Sequence, residues 1–223
     1  MSQAVREMFD RISGRYDTLN HVLSVRRDLA WRRTSVGFLP NGRGRILDLC
    51  GGTGDFLIAA RGANKASEAS LVADFAYRMM LPLPSKGLPP GVQADALRLP
   101  FRDGSFDAVL CGFGMRNLDH TGDGISEVLR VLKPGGTFVT LEFFKPETPV
   151  ARFFYGGVAP LLMPAAGVVF GSSREAYEYL VRSIRRFLPV GAYADLLRER
   201  GFLDPKIKTF DLGICHAVAA RKP

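Results

Sequence analysis

Two acids and a cluster of glycines follow one apolar run. In Ile46-Leu47-Asp48-Leu49-Cys50-Gly51-Gly52-Thr53-Gly54-Asp55 a short buried strand reads into a glycine-rich turn, and Phe56-Leu57-Ile58-Ala59-Ala60 opens a helix. Glycine suits such a turn because a Cβ would hold the backbone away from a ligand. The amides at the helix start offer donors to an anionic or polar group. A further acid, Asp74, closes the apolar stretch Ser70-Leu71-Val72-Ala73, next to Phe75 and twenty residues beyond Gly54. At that distance a doubly wound fold places the carboxylate that accepts from two vicinal ribose hydroxyls; a helix cap is the plainer use. Asp95 ends Val92-Gln93-Ala94, where its carboxylate can accept from an adenine amine and the Ala96 amide can donate to a ring nitrogen.

The spacing is not the dinucleotide fingerprint G-x-G-x-x-G. It is Asp48-x-Cys50-x-Gly52-x-Gly54, which resembles the first motif of class I methyltransferases, enzymes that bind S-adenosylmethionine (AdoMet). Cys50 takes the place of that motif's first glycine, as a small residue can. A fourth strand, Phe106-Asp107-Ala108-Val109-Leu110-Cys111, opens into Gly112-Phe113-Gly114-Met115-Arg116-Asn117-Leu118. Ligands of open α/β sheets lie outside the carboxyl ends of the strands, so this loop lines the expected site.

The elements that must position these groups follow from periodicity. Residues 1–38 read as helical, with Phe9, Ile12, Tyr16, Leu19 and Leu23 near a helical repeat, and are placed to form a lid or a substrate wall. After Asp74 the crossover is short, because Pro82, Pro84, Pro89 and Pro90 break any helix. Ile125–Leu132 reads as a helix, stopped by Lys133-Pro134-Gly135-Gly136, and Thr137–Phe143 as a fifth strand. Tyr155–Gly171 is rich in glycine, proline and apolar residues and reads as a buried insertion or as a wall for an apolar substrate touching a membrane surface. Helices over 175–187 and 190–201 and strands over 206–210 and 215–220 complete the pattern.

With 223 residues, the chain suits one α/β domain. A 47% apolar and 23% charged composition argues against general disorder. No apolar run reaches the roughly 18 residues of a membrane span, and Met1–Arg15 has no signal-peptide core. Cys50, Cys111 and Cys215 sit apart in apolar segments, as reduced core cysteines of a cytoplasmic protein do. His21, His120 and His216 form no metal-ligand pattern, so no metal is expected. The net charge of +8 is compatible with a basic soluble surface, a nucleic acid or an anionic membrane face.

Taken together, the motifs resemble the ubiquinone/menaquinone biosynthesis C-methyltransferase family over nearly the whole chain. Phe9-Asp10-Arg11-Ile12 and Tyr16-Asp17-x-x-Asn20-x-x-x-Ser24 through Trp31 match its N-terminal signature. Asp95-Ala96-x-x-Leu99-Pro100-Phe101, Phe113-Gly114-Met115-Arg116-Asn117 and Arg130–Gly136 through Glu142 match further blocks. Asp28 stands where the family often has His, and Phe144 where it often has Ser. The resemblance implies a single doubly wound, Rossmann-like α/β domain over 1–223, with a mostly parallel seven-stranded sheet, an antiparallel edge strand, an N-terminal lid over 1–38 and an apolar, helical insertion over 150–188. It implies AdoMet as cofactor, held by Asp48, Gly51, Gly52, Thr53, Asp74, Phe75, Asp95, Ala96 and Gly112.

The implied reaction is methyl transfer to a ring carbon of a reduced isoprenoid quinone, demethylmenaquinol foremost and a ubiquinone precursor beside it. Such a carbon needs its neighbouring hydroxyl ionised, which calls for a base or an oxyanion stabiliser. Arg116 is the first candidate for the oxyanion, with Tyr16 and Asn117 as orienting groups and Asp17, His21 and His120 as weaker bases. Methylation of another small molecule or of RNA, and a non-catalytic AdoMet-binding scaffold, stand as alternatives. Nucleic acid is not an expected partner, because Gly112-Phe113-Gly114 lacks the Asn/Asp-Pro-Pro-aromatic signature of amino-group methyltransferases. Peripheral contact with the inner face of the membrane and a homodimer are both compatible with the sequence.

Overall fold

Two apolar cores, one on each face of a seven-stranded sheet, explain why the central strands are apolar at nearly every position. The computed structural model describes residues 3–160 and 174–223. Strands β1 (Ile46–Leu49), β2 (Leu71–Asp74), β3 (Val92–Gln93), β4 (Phe106–Gly112) and β5 (Leu132–Glu142) run parallel. They are followed by β6 (Leu203–Phe210) and β7 (Cys215–Arg221). The order across the sheet is β3-β2-β1-β4-β5-β7-β6. The antiparallel departure lies at this edge: β7 opposes both β5 and β6, one strand in from the margin.

Helices α1 (Gln3–Ile12), α2 (Tyr16–Leu23) and α3 (Arg27–Val36) form the N-terminal segment, as its periodicity predicts. Trp31 and Val36 of α3 join Phe56, Leu57 and Ala60 of α4 (Asp55–Gly62) over Ile46, Val72 and Leu110. On the opposite face, Ile125, Val128 and Val131 of α5 (Thr121–Val131) and Tyr193 and Leu197 of α8 (Val190–Glu199) cover Leu47, Leu49, Val109 and Phe138. Side chains alternate between these cores because successive residues of a strand point to opposite faces. After Asp74 the proline-broken crossover holds only the short 3-10 turns Tyr77–Met80 and Pro84–Lys86. The third strand is shorter than the sequence suggests: pairing stops at Gln93, and Asp95 and Ala96 follow it in a loop. Phe144 is core, against Phe187, Tyr193 and His216.

Of the apolar stretch Tyr155–Gly171, residues 161–171 lie outside the described residues. Its first part continues α6 (Pro149–Phe153), and Tyr155 and Ala159 pack on Val181 and Ile184 of α7 (Arg174–Arg186). No helix among the described residues is long and apolar enough to cross a membrane.

The chain changes direction across the sheet between β1 and β4, so their two exit loops meet. They meet tightly: a Cβ on Gly114 would lie 2.4 Å from Cys50 Cβ and 2.9 Å from Cys111 Sγ. Gly114→Ala is therefore expected to cost about 1–3 kcal/mol by overpacking, which a thermal melt would register as a drop of several degrees. An unchanged melting temperature would show that the two loops separate without cost.

Candidate active site

The turn after β1 curls through residues in the left-handed region, Cys50 (φ 52°), Gly52 (φ 51°) and Gly54 (φ 81°). Such a path leaves amides facing one concavity. Position 50 thus requires positive φ as well as a small side chain, which a cysteine adopts only under strain. Gly51 is held by space, since a Cβ there would stand 2.7 Å from Asp48 Cγ and 2.8 Å from Val72 Cγ1.

Around this turn lies a concave cleft. Asp48, Gly51, Gly52, Thr53, Asp74 and Gly112 line it together, as the sequence predicts. Asp74 is buried, and its two carboxylate oxygens accept from the amides of Gly52 (2.9 Å) and Ala76 (2.8 Å). Burial pushes its pKa up to about 6, against these amide bonds. Phe75, Asp95 and Ala96 are not part of that wall. The Arg6 guanidinium sits over the Phe75 ring at 5.5 Å, and the Asp95 carboxylate turns into its own loop to accept from the Leu97 amide (3.0 Å). Phe9 of the N-terminal signature, together with Arg32, Phe56 and Met79, for which residue type and spacing predict no site role, line the cleft instead. They come from α1, α3, α4 and the short crossover, and only packing brings them here.

Asp48 is the chemically unusual member. It is fully buried; Oδ2 accepts from the Leu57 amide (2.9 Å), and Oδ1 has no hydrogen-bond partner. Burial pushes its pKa up to about 7. An unsatisfied carboxylate oxygen at a glycine-lined concavity calls for a cation, and the sulfonium and ammonium of AdoMet supply that charge. The residues present fit this cofactor.

A second cavity adjoins the first. Its walls are mostly aromatic and apolar, including Trp31, Phe143, Phe154, Tyr155, Leu180 and Ile214. Tyr16 and Phe113 line both cavities. Phe113, itself at φ 59°, stacks on Phe143 with centroids 4.6 Å apart, and Arg32 lies over its other side at 5.4 Å.

Arg116 reaches the second cavity but is not a free cation. Its Nη1 donates to Glu142 Oε1 (2.7 Å) and to the Phe113 carbonyl (2.5 Å), and both ionic partners are buried. Asn117 lines the first cleft; its amide donates to the Phe113 carbonyl (3.2 Å) and its Oδ1 accepts from the Tyr179 hydroxyl (2.9 Å). Asp17 is engaged by the Thr53 hydroxyl (2.5 Å) and Lys86 (2.6 Å), and Lys86 also bridges to Asp55 (2.8 Å). His120 is exposed at the start of α5. His21, Asp28 and Asp55 bring three potential ligand atoms within 4.8 Å of one another. Arg32 and Lys86 already neutralise the two carboxylates, which makes the group an ion-paired cluster rather than a metal centre.

Known proteins resolve what this geometry belongs to. Residues 1–222 match the ubiE/COQ5 methyltransferase family. The chain belongs to that family. A relative named demethylmenaquinone methyltransferase from Anoxybacillus flavithermus is 33% identical over 228 residues, spanning 99% of this chain and 96% of that protein. One of the same name from Deinococcus radiodurans is 38% identical over 211 residues, 90% of this chain and 85% of that one. The fold is also that of a solved S-adenosylmethionine-dependent methyltransferase from Thermotoga maritima, described as a possible histamine N-methyltransferase. Its TM-score is 0.71 at 19% identity, over 97% of this chain and 99% of that one. This ubiE/COQ5 family member is accordingly an AdoMet-dependent methyltransferase.

The state of Asp48 predicts pH-dependent AdoMet binding. Burial raises its folded pKa from the ordinary carboxylate value of 3.8 to about 7, so the free protein gains stability as pH falls through 7 towards 4 and loses it on the way back up. A cation beside the carboxylate favours ionisation, so binding releases protons near pH 6.5 and weakens as pH falls below 7. Calorimetry in two buffers of different ionisation enthalpy should detect this release. Asp48→Asn should abolish most of it, weaken AdoMet by at least about tenfold, and raise the melting temperature of the free protein at pH 8. Proton release unchanged in the variant would refute the assignment.

Proposed function

We propose that this chain transfers the AdoMet methyl group to a ring carbon of a reduced isoprenoid quinone, demethylmenaquinol foremost. The observation that carries the reading is the shared wall: Tyr16 and Phe113 separate a polar, glycine-lined cleft from an aromatic cavity. A flat ring in the second cavity would meet a methyl group in the first where the two cavities adjoin, between those side chains, with no residue between the reacting atoms. The names of the relatives support the ring chemistry.

Bound AdoMet supplies an electrophilic methyl on a cationic sulfur. Asp74 would hold the ribose hydroxyls, and the 51–54 amides with Asp48 the methionine end. The aromatic walls orient the acceptor ring and exclude water, so alignment supplies much of the acceleration. Arg116, neutralised by Glu142, acts as a hydrogen-bond donor to the developing oxyanion more than as a net charge. Helices α1–α3 would serve as the lid, held to the cofactor turn by Asp17, Thr53 and Lys86.

Incubation with labelled AdoMet and reduced demethylmenaquinone, with a reduced benzoquinone precursor in parallel, should place label on ring carbon. AdoMet binding with no transfer to either would move the reading to another acceptor or to a scaffold. In the same assay Tyr16→Phe should lower kcat while leaving AdoMet affinity intact. Arg116→Ala alone should cost about 3–5 kcal/mol of stability by stranding the Glu142 carboxylate.

An isoprenoid tail needs an apolar exit. Phe153 and Leu212 are each 72% exposed. They flank cavity-lining Phe154 and Ile214, and the Thr148 hydroxyl ties the two segments by donating to the Leu212 carbonyl. Arg152 is exposed next to Phe153, and exposed Arg27 is ion-paired with Asp211 next to Leu212, which puts basic groups beside the two apolar side chains, as suits an anionic bilayer. Sedimentation with phosphatidylglycerol vesicles should carry the protein down at low salt, and Phe153→Ser with Leu212→Ser should reduce it. Equal sedimentation of the variant would exclude this surface.

A further inference from the structure

The aromatic cavity contains one carboxylate, Asp28, on the first turn of α3. It is 2% exposed. Its Oδ1 accepts from the Ser24 hydroxyl (2.7 Å), and its Oδ2 from His21 Nδ1 (2.9 Å) and Arg32 Nη1 (2.5 Å). Three of the roughly four acceptor positions of a carboxylate are thereby used, which leaves about one for a group in the cavity. His21 stands behind Asp28 with its side chain 27% exposed, so the pair spans from the closed cavity to solvent.

We infer that Asp28 is the base that takes the proton from the acceptor's ring hydroxyl, and that His21 orients it and passes the proton to solvent. The inference rests on the quinol reading above. As the sulfur–methyl bond breaks and the carbon–methyl bond forms, the adjacent hydroxyl gives its proton to Asp28, leaving a neutral ketone. Loss of the proton on the methylated carbon and return of one to the oxygen restore the aromatic ring. One proton net leaves per turnover, and an enclosed site needs a path for it.

Asp28 is a weak base at rest: burial raises its pKa, but Ser24, Arg32 and His21 outweigh burial and hold it below the usual carboxylate value. That suffices, because the hydroxyl becomes strongly acidic as ring electrons move to the methyl group. A base poised this way acts during methyl transfer and does not ionise the substrate beforehand. The other titratable and charged groups around it are Tyr16 of α2, Asp55 of α4, and Arg116 and Tyr155 across the cavity. Behind α3 lies Asp211, bound by Arg27 and Trp31.

The test compares wild type, Asp28→Asn and His21→Gln with AdoMet and reduced demethylmenaquinone, anaerobically, from pH 6.5 to 10. Gln can keep a hydrogen bond to Asp28 but cannot carry a proton. Asp28→Asn should lower kcat by about 10²–10⁴-fold and His21→Gln by less, with AdoMet affinity retained in both. Both deficits should shrink towards pH 10, where a phenolic hydroxyl ionises unaided. Should Asp28→Asn fail to fold for want of the Arg32 partner, His21→Gln carries the test, because the Asp28–Arg32 pair survives in it. Wild-type kcat in His21→Gln, or a deficit that stays constant across this pH range, would overturn the inference while leaving the quinol reading standing. AdoMet binding without methyl transfer by the wild type would overturn that reading, and the inference with it.

Discussion

A carboxylate buried without a partner for one oxygen governs this molecule. Asp48 lies inside β1, between β2 and β4, at the point where the strand order reverses. Placing an acid there is costly in the free protein, and its upward-shifted pKa records that cost. In the proposed function a cationic ligand would offset this cost, since functional sites often hold strain that packing alone would remove. Cys50 and Phe113, both non-glycine residues at positive φ, flank the same point. Strain, desolvation and the open amides are concentrated at one turn, and the two cores on either face of the sheet hold it in place.

From that turn the arrangement is layered. The strand ends and glycine amides make the donor cleft; α1, α2 and α3 bring Phe9, Tyr16 and Arg32 over it. The ion pair of Asp17 with Lys86, and the Thr53 hydroxyl bound to Asp17, tie that cover to the cofactor turn. The acceptor cavity exists only because the same helices return a second set of side chains, Asn20, Ser24, Asp28 and Trp31, against the aromatic groups of the β5 exit and α6. The two cavities therefore meet at Tyr16 of the helical segment and at Phe113 on the exit loop of β4.

Arg116 and Glu142 show how burial changes the meaning of a charged residue. Each is buried, so neither could stand there alone, and the pair is retained at a cost that a well-packed apolar pair would avoid. Its position beside both Phe113 and the aromatic cavity accounts for its presence better than stability does. The Asn117 side-chain amide and Arg116 both donate to the carbonyl of Phe113, a residue at positive φ.

Residue order alone determined the α/β architecture, the β1 turn, Asp48 and Asp74, because these depend on local periodicity, glycine and the carboxyl ends of strands. It also carried the family signature from Phe9 to Glu142. It did not determine that Cys50 needs positive φ, that β3 ends before Asp95, or that Arg116 is paired with Glu142. Those depend on loop packing, strand pairing and contacts made 26 residues apart. The joining of Asp28 to His21, and the placing of Phe9, Arg32 and Met79 in the cofactor cleft, were likewise decided by tertiary structure. A helix fixes which residues share a face; only its packing against the sheet decides which cavity that face enters.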